Sequence, residues 1–291
     1  MTSTLSITVG VDAEPASRLA VDWAIRQASR RPARITLVTA FDMILDAPLV
    51  EEARLEAERI RIREAVPGAE VEIAVADGSI PEILTRYADR SDLLVIGSHR
   101  TRHYRSVVAG DLPARTAQHA HCPVVVVPDD WTPHDGAVLV GLEDDASSDA
   151  ALDRAAEFAV AAGRELRILH AWMRPDPASD PVSLYLRVPV DLRDEHRAHV
   201  AAAAERLRRL HPGLPIVEEL YEGSTANGLV AVAPTAELVV IGSHRRGALA
   251  GFLRGSVGRE LLHYCATPVC IVPGTNGSAG VAHAEPDGAF A

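Results

Sequence analysis

Leu94-Val95-Ile96-Gly97-Ser98-His99-Arg100 returns almost unchanged as Val239-Val240-Ile241-Gly242-Ser243-His244-Arg245, a step of 145 residues. The same step carries Asp77-Gly78-Ser79 onto Glu222-Gly223-Ser224, and Pro123–Pro128 onto Pro268–Pro273. Nearer the front the step is 131: Val9-Gly10-Val11-Asp12 pairs with Val140-Gly141-Leu142-Glu143, and Thr39-Ala40-Phe41 with His170-Ala171-Trp172. The halves are collinear duplicates, with a net insertion in the second copy between residues 172 and 222. Solenoid periods run only about 20 to 50 residues, so this repeat is a whole domain.

The decisive stretch is continuous in β-branched and apolar residues instead of alternating, as is Val124–Val127. Such runs belong to strands buried on both faces, in parallel sheets covered by helices. Outward from it, each copy alternates apolar runs with amphipathic stretches. Strands are expected at Leu5–Val11, Arg34–Ala40, Glu70–Ala76, Asp92–Gly97 and Pro123–Val127, and at Ala137–Leu142, Glu165–Ala171, Ile216–Tyr221, Leu238–Gly242 and Val269–Val272. Helices are expected at Pro15–Arg30, Leu49–Val66, Ser79–Ala88 (capped by the Ser79 hydroxyl), Asp111–Ala120 and Glu195–Leu210. Strand and helix in series give two α/β doubly wound domains.

The expected division is a first domain over 1–128, a Pro- and Asp-rich linker over 129–136, a second domain over 137–274, and a disordered Gly- and Ala-rich tail over 275–291. Arg174–Asp191, with four prolines, is expected to be a long loop.

Composition narrows the function. Of 291 residues, 47% are hydrophobic and 24% charged, the balance of a globular protein. The net charge of −11 disfavours non-specific nucleic-acid binding, which needs a basic face. All 29 basic residues are Arg, which excludes a phosphate-binding or Schiff-base lysine. The three cysteines, Cys122, Cys265 and Cys270, do not repeat in register, so a reduced, cytoplasmic setting is expected over a disulfide framework. Residues 1–12 lack a basic leader and a long apolar run, and no run reaches the roughly 18 residues of a membrane span.

In an open parallel sheet, ligands bind beyond the carboxyl ends of strands where the winding reverses. Those ends carry Asp12, Ala40 and Gly97 in the first copy, and Glu143, Ala171, Ile241 and Gly242 in the second. From Gly242 the chain runs through Arg245 and a Gly-rich stretch into Gly255-Ser256-Val257, where a helix is expected to begin. Glycines admit close approach to phosphate, and a helix start offers free N–H groups to it.

On these residues the chain resembles a tandem universal stress protein. The marks are Val9-Gly10-Val11-Asp12, His170-Ala171, Gly255-Ser256-Val257 and the Cys/Thr-Pro-Val run opening each last strand. The family's nucleotide signature is Gly, two residues, Gly, nine residues, Gly, then Ser or Thr. It maps as Gly242, Arg245 in place of a Gly, Gly255 and Ser256. The resemblance implies a five-stranded parallel sheet of order 3-2-1-4-5 in each copy, Rossmann-like. In nucleotide-binding members ATP lies along the ends of strands one, two and four. It implies ATP, ADP or AMP in the second copy, with or without Mg, at Glu143, Ala171, Ile241, Gly242, Arg245, Gly255, Ser256 and Val257. In the first copy the corresponding Asp12, Ala40, Gly97 and Gly110 are accompanied by Arg100 for the middle Gly and by Asp111 for the Ser. A carboxylate at that helix start opposes a triphosphate, so no nucleotide is expected there.

The competing functions are an interaction or scaffold module without nucleotide and, more weakly, a slow ATPase; no residue stands out as a base to activate water. Arg254-Gly255-Ser256-Val257-Gly258 falls one Gly short of a nucleophile elbow. His119 with His121, and His196 with His199, lack a completing ligand and read as surface histidines instead of metal pairs. The Arg/Glu run Glu51–Glu64 reads as a solvated face with i,i+4 pairs. The last strands, Val124–Val127 and Val269–Val272, are edges that need covering. The resemblance implies that they pair with each other inside the tandem chain and that the chain forms a homodimer.

Overall fold

The computed structural model describes residues 4–41, 48–99, 112–143, 146–173, 192–243 and 257–274. The first copy runs β1 (Leu5–Gly10), α1 (Pro15–Ala28), β2 (Ala33–Phe41), α2 (Pro48–Ala65), β3 (Glu70–Asp77), α3 (Ile80–Ala88), β4 (Leu93–Ser98), α4 (Leu112–His119) and β5 (Val124–Pro128). The second runs β6 (Ala137–Leu142), α5 (Ala146–Ala162), β7 (Leu166–Trp172), α6 (Leu192–Leu210), β8 (Ile216–Glu222), α7 (Thr225–Val232), a short 3-10 turn, β9 (Ala236–Ser243), α8 (Val257–Tyr264) and β10 (Val269–Pro273). Expected strand limits shift by a residue or two, as is usual at element ends.

Each copy is a parallel sheet in the order third, second, first, fourth, fifth, and the two form one ten-stranded sheet, β3-β2-β1-β4-β5-β10-β9-β6-β7-β8. Among the described strands only the central β5–β10 junction is antiparallel, with Val125 opposite Cys270 and Val126 opposite Val269. Cys270 is the repeat counterpart of Val125, so a residue meets its own counterpart there, the mark of an approximate twofold axis.

Helices cover both faces. One apolar cluster unites Trp23 of α1, Leu55 and Ile62 of α2, Leu152 and Phe158 of α5 and Val200 and Leu207 of α6 with one side of the strands. The other gathers Ile83 and Leu84 of α3, Ala117 of α4, Leu229 of α7 and Leu261 of α8. Trp23 meets Phe158 edge-on at 6.1 Å between centroids, tying α1 to α5 across the copies. Trp131, between β5 and β6, is also buried in the shared cluster.

Local chemistry repeats too. Gly78 and Gly223 turn the chain after β3 and β8 at φ +133° and +147°, where an L side chain is strained. The serines that follow differ from one another. Ser224 accepts the Asn227 N–H at 3.2 Å, whereas Ser79 holds the cap position of α3 with no side-chain cap bond, contrary to expectation. Pro81 in that first turn has no N–H to satisfy and presets the helical φ, which lessens the need for a cap. On α2 the ion pairs are i,i+3, not i,i+4: Glu51–Arg54, Glu56–Arg59 and Glu58–Arg61, with Arg61 also reaching Asp22 of α1. Each Glu precedes its Arg, and the three-residue step leaves Arg61 over α1.

Candidate functional site

Parallel winding brings every strand's carboxyl end to one rim of the sheet. In the second copy β6 lies between β7 and β9, Leu142 opposite His170 and Val140 opposite Val240. The winding reverses at β6, so its end, with the ends of β7 and β9, forms a crevice. Glu143 follows β6, Ala171 lies near the end of β7, and Ile241 and Gly242 close β9. Ile241 is buried against α7 and α8, while Glu143, Ala171 and Gly242 remain half-buried at the rim. Val257 is the first residue of α8. The structure thus brings Glu143, Ala171 and Gly242 to one rim of the sheet, and Val257 packs against the apolar cluster that Ala171 also borders. Arg245, Gly255 and Ser256 lie outside the described residues, as do Arg100, Gly110, Asp111, the 174–191 stretch and the 275–291 tail.

Two serines repeat at the step of 131 and hold the turn after the first strand. The Ser148 hydroxyl accepts the Glu143 N–H at 2.9 Å, and the Ser17 hydroxyl accepts the Asp12 N–H at 3.2 Å. In the first copy Ser17 also donates to the Asp12 carbonyl at 3.0 Å. The Asp12 carboxylate accepts the Glu14 N–H at 2.9 Å and so serves its own turn. Gly97 has a packing reason to be glycine: a Cβ there would stand 2.5 Å from the Ala16 backbone and 2.8 Å from the Ser17 nitrogen. At the corresponding end of β9, the Ser243 hydroxyl accepts the Gly274 N–H at 3.3 Å and draws the end of β10 to β9.

One cluster beside the second crevice departs from the sequence reading. His170 is buried; its Nδ1 lies 2.9 Å from the Leu142 carbonyl and its Nε2 lies 2.8 Å from His196 Nδ1. His199 stacks obliquely on His170 at 5.2 Å, and Trp172 on His196 at 5.4 Å. His196 and His199 are therefore partners of a buried histidine, not isolated surface residues. Among the described residues no group of three or more His, Cys, Asp or Glu is placed to hold a metal. The facing nitrogens of His170 and His196 point at each other and form a hydrogen bond. The signal lay in the repeat: at the step of 145, His196 and His199 fall on Glu51 and Arg54, the ion pair at the start of α2.

The cysteines are free and buried. Burial pushes the thiols of Cys122 and Cys270 up to about 12 each, so they remain protonated apolar packing groups. Among the described residues no helix is long and apolar enough to cross a membrane.

Fold and topology define a duplicated, doubly wound α/β protein of Rossmann-like type. The family model described as "Universal stress protein family" matches residues 5–128 and again 136–273, and the chain belongs to that family. It is 30% identical over 295 residues to universal stress protein Rv2623 of Mycobacterium tuberculosis, covering 92% of this chain and 96% of that one. Universal stress protein Rv1996 of the same organism is 27% identical over 301 residues, covering 92% and 94%. A universal stress protein structure from Archaeoglobus fulgidus superposes with TM-score 0.67 at 15% identity over 93% of this chain and 98% of that one, a likeness of fold.

Proposed function

We propose that the second copy is a regulatory adenine-nucleotide site, holding ATP or its di- or monophosphate in the crevice at the ends of β6, β7 and β9. The observation that carries the reading is convergence: Glu143, Ala171 and Gly242, from three separated parts of the chain, meet where the winding reverses. Gly255-Ser256 stand immediately before Val257, the first residue of α8, so the phosphate end of the signature abuts a helix start. Glu143 offers a carboxylate to ribose hydroxyls, the ends of β7 and β9 offer backbone groups to the base, and Ser256 with the α8 amides serves the phosphates.

The first copy fits poorly. Asp111 stands in sequence where the second copy has Ser256, and Arg100 where the signature has its middle Gly. A scaffold role for that copy is favoured by these same observations. The reading is of a cytoplasmic stress-response protein that works by binding and not by turnover: the bound ligand alters a surface that partners read.

Calorimetric titration of the purified chain with ATP tests it. One site per chain, abolished by Ser256→Asp, is expected. No heat with ATP, ADP or AMP, and no nucleotide carried through purification, refutes it.

A further inference from the structure

The Leu142–Glu143 peptide of the second copy is held at both ends. Its N–H, on Glu143, donates to Ser148 Oγ at 2.9 Å, and its carbonyl, on Leu142, lies 2.9 Å from His170 Nδ1. A carbonyl only accepts, so His170 Nδ1 must carry a proton. In the neutral ring Nε2 is then bare and accepts from His196 Nδ1 at 2.8 Å. The His196 bond thereby fixes the tautomer that lets His170 hold the peptide, and the Trp172 and His199 rings restrain both imidazoles.

The first copy lacks this brace. There Thr39 replaces His170 and donates its hydroxyl proton to Glu51 Oε2 at 3.4 Å, and Glu51 pairs with Arg54. That proton is spent on α2 and not on the strand end. The Asp12 N–H makes the serine bond that both copies share. An ion pair has been exchanged for two imidazoles in the copy whose nucleotide signature is better kept.

We propose that His170 is a positioning residue for the second nucleotide site, with His196 as the residue that sets its tautomer. Together they hold the peptide that carries Glu143 in the orientation its carboxylate needs to meet a ribose. The inference rests on the nucleotide reading above and adds a role outside the signature.

The test uses the full chain with ¹⁵N-labelled histidine and ATP as probe. The His170 resonances are expected to show a protonated Nδ1 and a bare Nε2, before any nucleotide is added. His170→Leu is expected to weaken ATP binding about tenfold, the value of one net hydrogen bond lost from an otherwise intact site. His170→Asn, whose amide can donate to the Leu142 carbonyl, is expected to recover binding to within about threefold of wild type. A protonated Nε2 with a bare Nδ1 overturns the proposal without any variant having to fold. Unchanged ATP affinity in a folded His170→Leu overturns the positioning role alone. An intact tautomer in a wild-type chain that binds no ATP overturns the nucleotide reading and the role built on it, and leaves the hydrogen bonds standing.

Discussion

Glu237→Gln removes one negative charge from the junction of the two copies and is expected to destabilise the whole chain. Glu237 is the second residue of β9 and is 7% exposed. Arg30, in the turn after α1, grips both its oxygens, Nη1 to Oε1 at 2.8 Å and Nη2 to Oε2 at 2.7 Å, and Arg26 of α1 adds Nη2 to Oε2 at 3.1 Å. The bonds join the first copy to the second. Glutamine keeps the shape but turns an amide N–H₂ toward a guanidinium and leaves Arg30, its side chain 13% exposed, without its counter-charge. Breaking a buried pair from one side costs about 3–5 kcal/mol, and because Arg30 keeps some contact with water the lower figure, about 3 kcal/mol, applies. With an m-value of about 3 kcal/mol/M, that is a loss of about 1 M in the urea midpoint. The assay is equilibrium denaturation followed by Trp fluorescence, run as a double-mutant cycle with Arg30→Met. Coupling above about 1 kcal/mol between the two positions is expected. A Glu237→Gln midpoint shift worth less than about 0.5 kcal/mol, or additive single effects, refutes the view that this pair locks the copies together.

Other outcomes follow from particular contacts. Gly97→Ala is expected to cost about 3 kcal/mol, because its Cβ would meet helix backbone at 2.5 Å, whereas Gly10→Ala meets movable tips of Leu84 and Ile96 at 3.1 and 3.2 Å and should cost under about 1 kcal/mol. Equal midpoints for the two variants in thermal unfolding would contradict this. Native Cys122 and Cys270 should resist a thiol reagent at pH 8, where a thiol pushed up to about 12 is ionised on the order of one part in ten thousand; rapid labelling of the folded chain would refute their burial. Hydrogen bonds from Arg26, then Arg164, hold the Asp135 carboxyl below its usual 3.8. Its contribution is therefore fully present above that value and lost as pH falls through the lower folded value. The stability gap between wild type and Asp135→Asn should shrink between pH 5 and pH 2, and a gap that widens would invert the assignment.

The repeat and the apolar runs made the fold legible, because strands buried on both faces leave a pattern that no single-faced element leaves. The rim positions were legible for the same reason: a parallel sheet sends all its carboxyl ends to one side. What escaped was chemistry carried between elements. His170, on β7, meets His196 on α6 across 26 residues of sequence, and the change of step from 131 to 145 hides that His196 sits where Glu51 does. The close approach of α1 to Gly97, where a Cβ would stand 2.5 Å from the Ala16 backbone, was likewise not legible, because it joins elements far apart in sequence. Ser79 matched a capping pattern, but Pro81 had already met the need.

The most direct test is a crystal structure of the chain grown with ATP. The account expects one nucleotide per chain, its ribose beside Glu143, its base along the ends of β7 and β9, and its phosphates over Ser256 and the start of α8. A nucleotide in the first copy's crevice instead, or an Arg245 side chain filling the second, would contradict it.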